Sequence, residues 1–156
     1  MSVSTTRPTT SALWRGDRLF QPIGDLVVES GEVLPDVVLA YETWGRLSPS
    51  RDNAVLVEHA LTGDSHVVGP AGEGHPTPGW WPGLVGPGAL LDTDDFFVIA
   101  INVLGGCQGS TGPASPGPDG RPWGSRFPRL TIRDQVTADV IAWFDAHLTD
   151  STKGVA

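Results

Sequence analysis

Cysteine is almost missing from this sequence, since Cys107 is the single cysteine among 156 residues. One thiol cannot form a disulfide within the chain, which excludes a disulfide-stapled secreted fold and suggests a reducing compartment. Long hydrophobic runs are missing as well, so the sequence predicts no membrane span. The Ser/Thr-rich start has no apolar stretch like that of a secretory signal. We therefore expect a soluble cytoplasmic protein with no membrane partner.

Positive charge is scarce too, with 10 Lys and Arg residues against 18 Asp and Glu residues and a formal net charge of -8. A chain this acidic has no general attraction for phosphate backbones, so we expect no nucleic-acid partner. The hydrophobic fraction of 39% supplies a core, and the length fits one domain. The 20 glycines and 14 prolines show no period and predict long, ordered loops. Trp80 and Trp81 lie in such a loop, and we expect their large apolar area to be buried.

Short apolar runs interleaved with a helix predict an α/β sheet. The first two runs are close enough for an antiparallel hairpin, and parallel strands follow. Predicted strands cover residues 25–30, 36–44, 54–58 and 94–104. The predicted helix runs from Thr131 to Leu148, with Thr131 and Asp134 arranged as a capping box. Its predicted packing face has a four-residue spacing and consists of Val136, Val140, Phe144 and Leu148.

The stretch "NAVLVEHALTGDSH", residues 53–66, is the clearest functional signal. An apolar strand ends there in small and polar residues, and ligands of α/β sheets bind beyond the carboxyl ends of strands. A loop of small residues can turn its backbone N–H groups toward a developing oxyanion. His59 to Gly63 is therefore a candidate oxyanion loop. We expect the His59 side chain itself to pack or hydrogen-bond beside the strand end.

Other chemistry fits the sequence less well. Cys107 has the G-x-C-x-G form of a nucleophile elbow, but the prolines that follow prevent the helix that an elbow leads into. Ser110 lacks the first glycine of that motif. His59, His66, His75 and Asp64 have no metal-ligand spacing, so we expect no metal site. No glycine-rich nucleotide motif is present, and we expect no bound cofactor.

Four blocks in order resemble homoserine O-acetyltransferases of the α/β-hydrolase superfamily. They are "WGRLSPSRDNAVLVEHALTGDSHVVGP", "GHPTPGWWPGLVGPG", "NVLGGCQGSTGP" and "GRPWGSRFPRLTIRDQV". The resemblance extends from about residue 25 to about residue 148 and covers the N-terminal portion of the family. It implies an incomplete α/β-hydrolase-type sheet with long Gly/Pro-rich loops and one clear C-terminal helix.

The resemblance also implies a function in methionine biosynthesis. A serine would take an acetyl group from acetyl-CoA, the acyl donor, and the hydroxyl of L-homoserine would remove it. Leu61 matches the residue whose backbone N–H is one oxyanion donor, and Ala60 and Thr62 would line the acyl and substrate site. A full-length member would be a homodimer.

The resemblance predicts two regions and one departure from the family. Residues 1–24 would be a mobile tail and lead-in. Residues 25–156 would be the N-terminal part of the domain, truncated before the nucleophile elbow, because the serine, aspartate and histidine of the triad would all follow Ala156. We expect this chain alone to be inactive.

Three alternatives remain open from the sequence. The chain can be a non-catalytic domain that complements a partner chain, or a Cys107-dependent hydrolase. It can also be a relative in the same family that uses a succinyl donor or a serine acceptor.

Overall fold

The computed structural model describes residues 17–142, and the following elements lie within that range. The strands are β1 (Leu19–Val27), β2 (Val33–Trp44), β3 (Ala54–Val57) and β4 (Phe97–Ile101). A 3₁₀ turn at Gly124–Arg126 precedes helix α1 (Ile132–Val136), which continues as a π-type turn at Thr137–Ala142. Most of the predicted tail, residues 1–16, and the end of the predicted helix lie outside the described residues.

The four strands form one mixed sheet in the order β1-β2-β4-β3. The pairs β1–β2 and β2–β4 are antiparallel, whereas β3 and β4 are parallel. The predicted hairpin and the predicted parallel pair are therefore confirmed. Strand β1 begins at Leu19 rather than at residue 25, because it pairs with the full length of β2 up to Tyr41. Pro22 is tolerated in β1 because β1 is an edge strand.

Both faces of the central strand β4 are buried, which explains its unbroken apolar sequence. Ile99 and Ile101 pack with Leu39 and Tyr41 of β2 on one face. Val98 and Ala100 pack on the other face with Trp44 and with the long loop that follows β3. That loop supplies Val67, Val68, Leu84 and Val85 to the core, as expected of an ordered loop. Trp80 and Trp81, however, are exposed, so their predicted burial is wrong. Their rings stack on each other with a distance of 5.5 Å between centroids. The core beneath them is filled by the smaller aliphatic side chains of the same loop.

Gly45 ends β2 at a point where only glycine fits. Its φ is 81°, in the left-handed region that side chains rarely adopt. A Cβ atom at this position would also collide with the carbonyl oxygen of Phe96.

The helix begins with the predicted capping box. The Thr131 hydroxyl accepts a hydrogen bond from the Asp134 N–H at 3.2 Å, and the Asp134 carboxylate accepts one from the Thr131 N–H at 2.7 Å. Burial raises the pKa of Asp134, but backbone N–H bonds from Thr131 and Glu29 outweigh it and the pKa lies below its ordinary value. The hydrogen bond from the Glu29 N–H to the Asp134 carboxylate also joins the helix to the turn between β1 and β2.

The predicted packing face of the helix is wrong at Val136, its first residue. Val136 is 48% exposed, whereas Asp134, Ala138 and Asp139 are buried. The Asp134 carboxylate bonds the Glu29 N–H, so the Asp134 side of the first turn faces the hairpin. Val136 is two residues further on, about 200° around the helix, and faces outward. Phe144 and Leu148 lie outside the described residues.

We expect Thr131→Ala to lower the free energy of unfolding by about 1 kcal/mol, because the Asp134 N–H loses its side-chain acceptor. Urea denaturation monitored by circular dichroism measures this loss. Thr131→Ser keeps the hydroxyl and should stay within about 0.5 kcal/mol of the parent chain. Equal losses in both variants would show that the threonine methyl group, rather than the cap, is what stabilises this end of the helix.

Candidate functional site

The loops that follow β3 and β4 meet at one edge of the sheet, because neighbouring parallel strands end on the same side. Residues 58–63 follow β3, and residues 102–112 follow β4. The two loops are joined by His59, whose Nε2 accepts a hydrogen bond from the Val103 N–H at 3.2 Å. Its Nδ1 lies 2.8 Å from the carbonyl oxygen of Ala60. Since Nε2 accepts, Nδ1 carries the proton and donates.

This histidine fixes the position of the loop, which confirms the prediction that His59 hydrogen-bonds beside the strand end. The next residues form a tight turn in which the Gly63 N–H donates to the Ala60 carbonyl at 2.8 Å. A Cβ atom on Gly63 would lie 3.1 Å from the Cβ of His59, closer than packed side chains normally approach. The small residue therefore lets the turn lie against the histidine.

Leu61 is at the tip of this turn with its side chain 100% exposed. Ala60 and Thr62 on either side are exposed as well. No acceptor within residues 17–142 pairs with the Leu61 N–H. The edge thus presents an available backbone donor on an anchored turn. Its use as an oxyanion donor remains a prediction.

The loop after β4 is built differently, around buried polar side chains. Asn102 accepts a hydrogen bond from the Ser65 N–H at 2.8 Å. Ser110 accepts from the Ala40 N–H at 2.9 Å and donates to the Asn102 carbonyl. Ser110 is therefore a structural residue that ties this loop to β2.

Cys107 lies in the same loop and is exposed. After it the described chain forms bends and turns, and the next helical residues are Gly124–Arg126. Positive φ values among the described non-glycine residues occur only at Asp36 and Arg51. Cys107 therefore has neither the strained backbone nor the following helix of a nucleophile elbow.

A second polar cluster lies under the long loop, around Glu42 of β2, which is 0% exposed. Its carboxylate accepts hydrogen bonds from the Ser65 hydroxyl at 2.8 Å and from His66 Nδ1 at 3.0 Å. His66 Nε2 faces the Pro70 carbonyl at 3.3 Å. Nδ1 of His66 therefore donates to the Glu42 carboxylate, since a carboxylate oxygen can only accept.

His75 is stacked on His66 with a distance of 3.8 Å between ring centroids. Its Nδ1 lies 3.3 Å from Arg18 Nη2 and 3.8 Å from the Glu42 carboxylate. Arg18 also lies 3.8 Å from the Asp64 carboxylate. The cluster thus joins β2 to residues 64–75 of the long loop.

The ligand atoms of Glu42, His66 and His75 lie within 4.8 Å of one another, close enough for a metal site. The ring geometry argues against one. The two imidazole planes are stacked at an angle of 13°, so their in-plane lone pairs cannot converge on one ion. The Arg18 guanidinium beside His75 would also repel a cation. We make no proposal of a metal for these residues.

A cavity of about 690 Å³ opens beside this cluster, lined in part by Arg18, Phe20, His66 and His75. Ala60, Leu61 and Thr62 are not among its lining residues. The cavity and the anchored turn are therefore separate features of the molecule.

Sequence reasoning missed Glu42, Arg18 and Asp139. A charged residue within the apolar strand "DVVLAYETW" was a signal for Glu42, since a buried charge requires partners.

Asp139 gave no local signal, because its burial depends on the π-type turn. Its carboxyl is 3% exposed, with Oδ1 lacking a hydrogen-bond partner. Burial is the main cause that raises the pKa of Asp139 to about 8, and the nearby negative charge of Glu58 adds to it. The hydrogen bond from the Leu104 N–H acts in the opposite direction and is the smaller effect.

Curated proteins similar in sequence are named homoserine O-acetyltransferases. The protein from Thermobifida fusca is 63% identical over 146 residues, which are 89% of this chain and 38% of that protein. The chain thus spans less than two fifths of the length of this relative. No family model matches the chain.

Solved structures show the same fold. Esterase E22 matches with a TM-score of 0.75 and 32% identity, over 85% of this chain and 38% of the esterase. The homoserine O-acetyltransferase from Bacillus anthracis matches with a TM-score of 0.68 and 29% identity, over 88% of this chain and 37% of that protein. The expected α/β-hydrolase-type fold with an incomplete sheet is confirmed. Within residues 17–142, no helix has the length and apolar character needed to cross a bilayer.

Proposed function

We propose that this chain, which is homologous to part of the homoserine O-acetyltransferases, contributes the oxyanion loop to acetyl transfer from acetyl-CoA to L-homoserine. The observation that carries the proposal is the Leu61 N–H, which lacks a described acceptor on a turn anchored by His59 at the carboxyl edge of β3. The sequence identity to the Thermobifida protein supports the choice of reaction. We place the reaction in methionine biosynthesis in the cytoplasm, and we expect a homodimer for a full-length protein.

The proposed chemistry has two steps. A serine oxygen attacks the acetyl carbonyl of acetyl-CoA, the carbon–sulfur bond breaks, and the thiol leaves with the proton. The homoserine hydroxyl then attacks the acetyl-serine ester, and the serine regains its proton. Each attack places negative charge on the carbonyl oxygen, which the Leu61 N–H would stabilise. Ala60 and Thr62 would line the acetyl group. The serine and its general base would come from the part of the family that this chain does not match.

Proline at position 61 tests this role. Leu61 is the second residue of the turn from Ala60 to Gly63, where proline is favoured. Its φ is not positive, so proline removes the N–H while keeping the turn. In a fused chain, made by joining this chain to the part of the Thermobifida relative that it does not match, we expect Leu61→Pro to lower kcat by about 100- to 1,000-fold. Leu61→Ala should keep most of the activity. The assay follows release of free thiol from acetyl-CoA with homoserine.

Equal losses in the two variants, with both folded, would refute the backbone role of Leu61. The unfused chain serves as the second control, and we expect no acetyl transfer from it. Turnover by the unfused chain that disappears in Cys107→Ala would establish the cysteine hydrolase instead.

Ester hydrolysis is a second candidate, because esterase E22 shares the fold at 32% identity. The oxyanion loop would stabilise the charge formed when water attacks the acetyl-serine ester, just as it would when homoserine attacks. Measuring how acetyl groups divide between acetate and O-acetylhomoserine in the fused chain decides between them. Succinyl-CoA and L-serine, tested in the same assay, identify a relative with a different donor or acceptor.

A further inference from the structure

The positive charge of this acidic chain is concentrated in one segment. Four of the 10 Lys and Arg residues lie within residues 121–133, and none of the 18 Asp and Glu residues does. We define the arginine patch as the exposed side chains of Arg121, Arg126, Arg129 and Arg133. The rest of the chain has a large excess of acids, so a negatively charged ligand meets the least repulsion at this segment.

Acidic residues occupy only part of the arginine patch. Arg126 binds the Asp119 carboxylate through both Nη atoms, at 3.0 and 3.2 Å. Arg133 lies 3.2 Å from the Glu29 carboxylate. The other two members are Arg121 and Arg129. Neither forms an ion pair with a described residue, which leaves two guanidinium groups for an outside anion. Guanidinium groups bind phosphate oxygens in pairs, so phosphate suits them well.

The segment that carries the patch packs against the loop that follows β4. Leu130 lies so close to Gly105 that a Cβ atom on the glycine would be 3.0 Å from Leu130 Cδ1. Two residues before this glycine, the Val103 N–H donates to His59, which anchors the turn that carries Leu61. The loop after β4 therefore contacts both the patch segment and the candidate oxyanion turn.

The proposed acyl donor has its reactive group and its charge far apart. In acetyl-CoA the thioester and the phosphates lie at opposite ends of the long, uncharged pantetheine arm. Two linked phosphates join this arm to adenosine, and a third phosphate is on the ribose. An acetyl group held at the oxyanion turn thus leaves the phosphates beyond the neighbouring loop, which is where the arginine patch is.

We propose that the arginine patch binds the phosphates of acetyl-CoA, with Arg121 and Arg129 as the main contacts. This inference rests on the proposed acetyl transfer and adds a subsite for the charged end of the donor. L-Homoserine has no phosphate, so the patch acts on the donor and leaves binding of the acceptor unchanged.

Two acyl donors test the subsite in the fused chain. In the double variant Arg121→Gln and Arg129→Gln we expect the KM for acetyl-CoA to rise by about 5- to 30-fold, with kcat nearly unchanged. S-Acetylpantetheine has the same thioester and no nucleotide phosphate, and its KM should not change. Arg46→Gln is the matched control, because this exposed arginine follows β2 at the opposite edge of the sheet. Equal increases for both donors, or in the control, would overturn the proposal.

A gain of binding gives a second test. Asp119→Asn removes the carboxylate that holds Arg126, so we expect the KM for acetyl-CoA to fall by about 2- to 5-fold. Asp94→Asn removes the same charge from an exposed position before β4 and should leave this KM unchanged. A patch with only a structural role predicts no gain, so an unchanged or higher KM in Asp119→Asn would contradict the proposal.

NMR titration of this chain with free CoA separates the subsite from the reaction, because it needs no turnover. We expect CoA to shift the amide signals of residues 121–133, and the double variant to lose these shifts. Pantetheine should not shift them. Absence of the shifts with CoA, or equal shifts with pantetheine, would overturn the subsite. If the shifts appear while the fused chain transfers no acetyl group, the proposed reaction fails and the phosphate subsite stands.

Discussion

Replacing Glu42 by alanine is expected to lower the free energy of unfolding by about 3–5 kcal/mol, because two buried donors lose their acceptor and a buried side chain is removed. Glu42 accepts hydrogen bonds from the Ser65 hydroxyl and from His66 Nδ1. Without the carboxylate, both donors stay buried next to the Arg18 and His75 pair and lose the acceptor they now have. Urea denaturation at pH 7 measures the loss.

Glu42→Gln separates charge from shape. Glutamine keeps the size of the side chain and can still accept the Ser65 hydrogen bond, so its loss should be smaller, about 1.5–3 kcal/mol. Glu32→Ala removes an exposed carboxylate from the β1–β2 turn and should change stability by no more than about 0.5 kcal/mol. A loss below about 1 kcal/mol in Glu42→Ala would contradict the assignment of Glu42 as the acceptor that these buried donors require.

Asp139 should make the stability of the chain fall as pH rises. Its carboxyl has a pKa of about 8 in the folded chain, whereas an unfolded aspartate has a pKa of about 3.9. Between these values the folded chain holds a proton that the unfolded chain releases. Stability should therefore fall by about 1.4 kcal/mol per pH unit across this window, and this contribution should level off above the folded pKa.

Asp139→Asn cannot titrate, so the difference in unfolding free energy between this variant and the parent isolates the effect. We expect the difference to increase in favour of the variant by about 5 kcal/mol between pH 4 and pH 8. Urea denaturation over this pH range measures it, and Asp94→Asn should show no such trend. A pH-independent difference would mean that Asp139 titrates normally.

The strands and the helix cap were predictable because their causes are local. The apolar runs at β3 and β4 depend on neighbouring residues, and the capping box depends on a three-residue spacing between Thr131 and Asp134. The loop from His59 to Gly63 was also readable, since small and polar residues directly follow a strand. The packing face of the helix was not, because the hydrogen bond from the Glu29 N–H to Asp134 sets which side of the first turn faces the hairpin, and that bond joins residues 105 positions apart.

The sequence by itself determined the strand pattern, the sheet edge that carries the candidate oxyanion loop, and the family that the chain resembles. Each follows from short-range periodicity or from ordered blocks of sequence. Only the tertiary structure decided that Glu42, His66 and His75 form one cluster and that Asp139 is buried beside Glu58. These residues are far apart in the chain, and the pairing of β2, β4 and β3 with the packing of the helix brings them together. Burial and the protonation of buried groups depend on that assembly, and no local pattern encodes it.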